Sequence, residues 1–331
     1  MKKINPRVVA IILFFITSAI WGATFVTQRI AGEHMGAFTY NGVRFLMGSL
    51  SLLPVIAVLE RREKKPGDSP QSPGTVPCRR AGVGNSPEGR GTVPSKLTWF
   101  AGAVAGLMVF VAANLQQFGI VLSDSPSAAS EAGFITGMYI IFVPILGLLL
   151  FRRKARPVVW VSAVLAFGGL FLITTEGGVG YLQFTHLLVL ICAVFWAAHI
   201  LWIDRYVSHI RPITFVAVQF LVCGALSLGV AFIFETVTWQ GIYGGMWVLL
   251  YGGIIASGIA YTLQAVGQKY VEPALAAIIF SMEALFAAVS EAVFLGETMT
   301  GQKYLGGAVI FVGILLAQYK KKTPHQVRGD K

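Results

Sequence analysis

The chain has 331 residues, 55% of them hydrophobic and 12% charged, and a mean hydropathy of +0.70. That composition excludes an ordinary soluble domain and indicates a polytopic membrane protein. The net charge of +11 does not mark a nucleic-acid binder, because the basic residues cluster in the short segments between apolar runs.

Ten apolar runs are predicted to span a membrane as helices, near 8–28, 38–59, 98–121, 127–151, 157–174, 184–203, 214–234, 244–267, 273–295 and 302–319. At about 1.5 Å rise per residue, such runs match a hydrocarbon layer roughly 30 Å thick. The first, Val8–Gln28, is too long for the apolar core of a cleaved leader and no small-x-small site follows it, so it is expected to remain as a span. With the N-terminus placed in the cytoplasm, the inward segments hold 23 of the 26 Lys and Arg residues. Arg29 and Lys303 fall outside, and Arg44 lies within the second run. This bias predicts a multi-pass protein of the inner (cytoplasmic) membrane with both termini cytoplasmic.

Between the second and third runs lies Arg61–Lys96, rich in Pro, Gly, Ser and Arg, with GTVP twice. A segment of that kind cannot bury a core, so 61–96 is expected to be a disordered cytoplasmic insertion. It either binds a partner or is a tolerated insertion without a transport role.

The fourth run, Ser127–Phe151, carries three features that a simple anchor does not need. Glu131 is a carboxylate inside an apolar run, and such groups face a bundle interior or a water-filled cavity. Pro144 removes a backbone donor and predicts a hinge. Gly133 and Gly137 leave a smooth strip for a neighbouring helix.

The chain also matches itself. Phe38–Leu46 aligns with Ile213–Leu221, and Trp21 with Trp196, at an offset of 175. Leu115, Gln116 and Gly119 align with Leu263, Gln264 and Gly267 at 148, and Gly168 with Gly313 at 145. The drop from 175 to 148 places about 27 extra residues of the first half in the 61–96 segment. Each half then has five spans, an odd number, so two copies in series must face opposite ways in the membrane. The expected fold is all-α: ten transmembrane helices as two inverted five-helix repeats, 1–174 and 175–319, around a central cavity, with a basic tail at 320–331.

Candidate site residues follow from depth and chemistry. Arg44 is roughly 9 Å and Glu131 roughly 6 Å from the outer face, so an Arg44–Glu131 pair is expected, either binding a zwitterionic or anionic solute or tying two helices together. Glu283 lies roughly 15 Å deep, near the midplane. It is the candidate for proton coupling or for contact with a substrate amine, the alternative being a neutral carboxyl bonded within the bundle. Glu291, two turns further out, belongs to an exit path or to the solvated interface. Asn114, Gln116, Gln117, His199, Gln219 and Gln264 either hydrogen-bond a substrate or tie helices together. Trp21, Tyr139, Trp196 and Tyr261 either shape a cavity or pack helices. Of these, the substrate-binding set is Arg44, Glu131, Tyr139, Glu283, Asn114, Gln219, Trp21 and Trp196.

No P-loop, HExxH or Cys/His cluster is present in the sequence, and the cysteines Cys78, Cys192 and Cys223 are scattered. No cofactor, metal or nucleic acid is expected, and the protein is not read as an enzyme. The expected partners are a small-molecule substrate, the lipid bilayer, and a proton or exchanged solute, for a monomer or homodimer.

Trp21-Gly22-Ala23-Thr24-Phe25-Val26, Arg44-Phe45, Gly133–Tyr139 followed by Val143-Pro144, Pro273–Ala277 and Leu295-Gly296-Glu297 resemble the drug/metabolite transporter superfamily, specifically its EamA-type ten-helix permeases. The likeness covers residues 8–319 apart from 61–96. It departs at the end of the fourth run, which has Phe151-Arg152 where the closing Gly-Glu stands in the second half. The resemblance implies secondary transport of small organic solutes, often export of amino acids or related metabolites, by alternating access. Two other readings stay open: a non-transporting scaffold or receptor, and an intramembrane enzyme on lipid-linked substrates.

Overall fold

The computed structural model describes residues 5–63, 95–125, 128–152, 154–174, 183–296 and 300–318. Residues 64–94 of the expected insertion, Glu297 of the closing motif and the tail at 320–331 lie outside the described residues. All elements among the described residues are helical: α1 (Pro6–Gly32), α2 (Ala37–Glu63), α3 (Ser95–Val121), α4 (Ala128–Gly137), α5 (Tyr139–Phe151), α6 (Pro157–Thr174), α7 (Phe184–Tyr206) and α8 (Pro212–Phe234). After α8 come α9 (Trp239–Gly244), α10 (Met246–Leu250), a π-helix (Tyr251–Ala260), α11 (Tyr261–Gly267), α12 (Pro273–Phe280), α13 (Glu283–Phe294) and α14 (Gly301–Gln318).

Every predicted run is helical. Among the described residues, eight helical stretches are long and apolar enough to cross a membrane, and 157–172 and 304–317 are shorter apolar helices. The segment 61–96 is helical at its edges, since α2 runs to Glu63 and α3 starts at Ser95. The chain entering α1 is set by local chemistry: the Asn5 side chain accepts from the Arg7 N–H at 3.0 Å, and Pro6 needs no donor in the first turn.

α2 packs most extensively on α8, and α6 on α14. In the internal alignment each of these helices is its partner's counterpart. Both ends of the α2–α8 pair are fastened. At one end Glu235 accepts from the Phe38 N–H (2.9 Å), the Thr39 N–H (2.8 Å) and the Thr39 hydroxyl (2.7 Å). A carboxylate there meets the free donors of the first turn of α2. At the other end Glu60 pairs with Arg211 at 3.6 Å. Glu60 and Glu235 stand 175 positions apart, the offset of the sequence repeat.

Two runs predicted as single helices are interrupted. The fourth breaks at Met138, between α4 and α5, and the ninth at Ser281–Met282, between α12 and α13. Pro144, the expected hinge, lies inside α5. The break falls six residues earlier, at Met138. The eighth run is divided by the π-helix, in which the Ser257 hydroxyl donates to the Gly252 carbonyl at 2.7 Å.

The core is layered around α1. Gly22 allows α13 to approach: a Cβ there would lie 2.7 Å from the Glu283 carbonyl and 2.8 Å from the Ala287 nitrogen. On the same helix, Phe14 and Trp21 pack tilted against Phe280 at 4.7 and 5.3 Å between ring centroids. That packing brings the start of α13 to the middle of the bundle.

Candidate functional site

Where the two interrupted helices meet, a cavity opens between α1, α2, α7, α11 and the π-helix. It contains about 570 Å³ of space free of protein atoms, counting its opening to solvent. Tyr139, first residue of α5, donates from its hydroxyl to Glu283 Oε1, first residue of α13, at 3.0 Å. Each break therefore delivers one half of this hydrogen bond. Glu283 is 3% exposed, and Trp21, Trp196, Tyr261 and Phe280 supply aromatic walls around it.

Arg44 enters the same cavity from α2, 5% exposed. Its Nε donates to Asn41 Oδ1 at 2.9 Å, one turn earlier on the same helix. Its guanidinium carbon sits 4.5 Å from the Phe45 ring centre and 4.8 Å from that of Tyr40. No carboxylate among the described residues lies within ion-pair distance of Arg44, and no cation within that distance of Glu283. The cavity thus holds one positive and one carboxyl group, each without a counter-ion, in an apolar setting where an uncompensated charge is costly.

Of the expected substrate-binding residues, Trp21, Arg44, Tyr139, Trp196 and Glu283 line this cavity. Asn114, Gln219 and Glu131 do not. Asn114 is one step behind Arg44: Asn41 Nδ2 donates to Asn114 Oδ1 (3.0 Å) and to the Ala113 carbonyl (3.1 Å), and Asn114 Nδ2 donates to Ser227 Oγ (3.1 Å). Gln219 is joined to His199 through Oε1 and Nε2 at 3.0 Å, both buried. The expected Arg44–Glu131 pair does not form. Glu131 accepts from the Ser125 hydroxyl (2.6 Å) and meets His186 Nε2 (3.2 Å), half-buried near the start of α7. Depth along a helix does not fix the direction in which a side chain leaves it, and Glu131 is bonded to Ser125 and His186 while Arg44 is bonded to Asn41. Glu291 is not at a solvated interface. It is fully buried and accepts from the Ser130 N–H at 3.1 Å and from the Ser130 hydroxyl, joining α13 to the start of α4.

Residues that sequence reasoning missed include Asn41, Thr24 and Gln28. Asn41 carries Arg44; Thr24 and Gln28 line the cavity from α1, one turn apart and on the side of Trp21. Their helical spacing from Trp21 is the signal that would have found them.

A second, wider groove lies at the end of the bundle that carries the Glu60–Arg211 pair. Pro144, Gly147, Lys154 and Arg156 face Glu272 and Pro273 across it. Arg156 stands 4.0 Å from Glu272 and donates to the Ala317 carbonyl at 3.4 Å.

A family model described as the EamA-like transporter family matches residues 8–76 and 183–319. A protein of Archaeoglobus fulgidus named an uncharacterized transporter is 24% identical over 305 residues, covering 92% of this chain and 84% of its own. An uncharacterized transporter of Buchnera aphidicola subsp. Schizaphis graminum is 37% identical over 60 residues, 18% of this chain and 19% of its own. One solved crystal structure shares the fold with a TM-score of 0.68 at 19% identity, covering 93% of this chain and 97% of that one.

Proposed function

This chain belongs to the EamA-like transporter family, and we propose that it is a secondary carrier of small zwitterionic, amphipathic metabolites such as amino acids, moving them by alternating access. The observation that carries this reading is the pair of uncompensated groups in one cavity. A solute bearing a carboxylate and an amine supplies the missing counter-ion to both Arg44 and Glu283, and the guanidinium fork suits a carboxylate. The aromatic walls accept its apolar body.

The two halves act as inverted repeats. Three observations support this: each of the two most extensive helix contacts joins counterparts, Glu60 and Glu235 fasten the α2–α8 pair at the repeat offset, and the fourth and ninth runs break at corresponding places. Broken helices at the repeat interface are where carriers place their sites. The groove at Arg156 and Glu272 is then the cytoplasmic approach, in an inner membrane with both termini inside. Glu283 can hold either a proton or a substrate ammonium, and exchanging one for the other couples transport to a proton gradient. The alternative readings as a scaffold or an enzyme gain no support from the cavity, which offers no reactive constellation among the described residues.

A metabolite comparison of growth media from overexpressing and deletion strains tests the reading. The solutes that change are expected to carry both a carboxylate and an amine, and overexpressed Arg44→Gln protein is expected to leave them unchanged. Changed solutes lacking both groups would overturn it.

A further inference from the structure

Gln264 lies on α11, is 1% exposed, and lines the cavity, yet its Oε1 has no hydrogen-bond partner. Buried polar atoms are nearly always bonded, and leaving one unbonded is a cost the fold retains for a reason. The internal alignment shows what is missing. It sets Gln264 against Gln116, and Trp21 against Trp196. In one pair the bond is made: the Trp196 indole N–H donates to Gln116 Oε1 at 3.2 Å. In the other it is not. The Trp21 N–H donates instead to the Ala256 carbonyl at 3.2 Å.

Ala256 belongs to the π-helix, whose wider turn alters which carbonyls its own backbone uses. Thr17, one turn before Trp21, bonds the Ala260 carbonyl of the same element at 3.4 Å. Tyr251 Oη in turn donates to the Ile20 carbonyl at 2.8 Å. α1 and the π-helix are therefore fastened three times, and the fastening takes Trp21 away from Gln264. The Trp21 ring remains in the cavity wall, 4.7 Å from Tyr261 between centroids. In a residue of the cavity wall, a buried acceptor is left without the donor that its counterpart has.

We propose that Gln264 is a substrate-recognition residue, accepting a hydrogen bond from an uncharged N–H or O–H donor carried on the apolar body of the solute. The solute's donor stands to Gln264 as the Trp196 indole stands to Gln116. This rests on the carrier reading above, in which Arg44 and Glu283 hold the charged end. Arg44 is two turns from the start of α2, at the end of the bundle fastened by Glu235 and level with Gly252 and Gly253 of the π-helix, which runs parallel to α2; Gln264 lies three turns further along that same course, toward the opposite end. The two residues therefore read opposite ends of one molecule. The class of solute is a small zwitterion whose side chain ends in, or carries, a donor.

The test uses the purified full chain in proteoliposomes and solute counterflow with three probe pairs that differ by one methyl group: L-tyrosine and O-methyl-L-tyrosine, L-tryptophan and 1-methyl-L-tryptophan, L-homoserine and O-methyl-L-homoserine. In the unaltered protein at least one donor-bearing member is expected to be exchanged with roughly ten-fold lower KM than its methylated partner. Gln264→Leu is expected to abolish that ratio, and Gln264→Glu, which keeps the acceptor, to preserve it. The ratio is taken within one variant, so a lower yield of folded Gln264→Leu protein does not affect it, and Gln264→Met gives a second apolar replacement. Exchange without discrimination in any pair, or discrimination that survives both apolar variants, overturns the role of Gln264 and leaves the carrier reading intact. Failure of every probe to exchange counts against both.

Discussion

Arg44 is held by neutral neighbours. Asn41 accepts from its Nε, the Tyr40 and Phe45 ring centres lie 4.8 and 4.5 Å from its guanidinium carbon, and Asn114 and the Ala113 carbonyl fix Asn41 from behind. That arrangement orients the guanidinium without neutralising it, which is what an anion site requires and a structural ion pair does not. Arg44→Gln is expected to raise the KM for a carboxylate-bearing solute by about 10- to 100-fold, the range of one charge-assisted hydrogen bond, with protein level unchanged. A normal KM with reduced protein level would return Arg44 to a structural role. Asn41→Leu is expected to weaken the same solute by a smaller factor, about 5- to 10-fold, and to leave exchange of an amine lacking the carboxylate unaffected. Glu283→Gln keeps the contact with Tyr139 but cannot exchange a proton, so uptake driven by a pH gradient should be lost, and an unchanged response to that gradient would remove Glu283 from coupling. Arg44 and Glu283 were legible in the sequence because a charge inside an apolar run is conspicuous. Asn41 was not, since a lone amide in a helix carries no mark of the side chain it orients. Glu131 was paired with Arg44 on depth alone, but depth does not fix direction around a helix, and its partner proved to be His186.

At the scale of elements, the cavity forms where two apolar runs are each interrupted, between α4 and α5 and between α12 and α13. Pro144 was the visible breaker, yet the interruptions fall at Met138 and at Ser281–Met282, residues with no breaking chemistry of their own. They are set by tertiary packing, which is why a one-dimensional reading missed them. The same holds for the π-helix: three glycines between 252 and 258 loosen that stretch, but its register is fixed by the bonds to α1. Gly22 was legible as part of a motif, and its reason is now physical. A side chain there would push α1 from the start of α13 and so displace Glu283. Gly22→Leu is expected to destabilise the fold by about 1–3 kcal/mol, as overpacking does. A lowered melting temperature in detergent checks this, and an unchanged one would mean that the helices separate without penalty.

For the molecule as a whole, the sequence made the helical class and the ten apolar runs legible, because period, length and hydropathy suffice for that. It also offered the paired offsets, and the two most extensive helix contacts join runs that those offsets pair. What it could not offer was the enclosure itself, which depends on which faces of ten similar helices meet. Deleting residues 64–94 is expected to leave exchange intact, since the internal alignment gives that segment no counterpart in the second half; loss of exchange in a correctly inserted protein would give the segment a working role. The central claim is that one cavity opens in turn to each side of the membrane. Ser257 lines that cavity, so side-specific thiol labelling of Ser257→Cys, with Cys78, Cys192 and Cys223 replaced by Ser, measures it most directly. Labelling from either face of oriented vesicles, suppressed at both faces by the transported solute, is the predicted result. Labelling from one face only, indifferent to solute, would contradict the account.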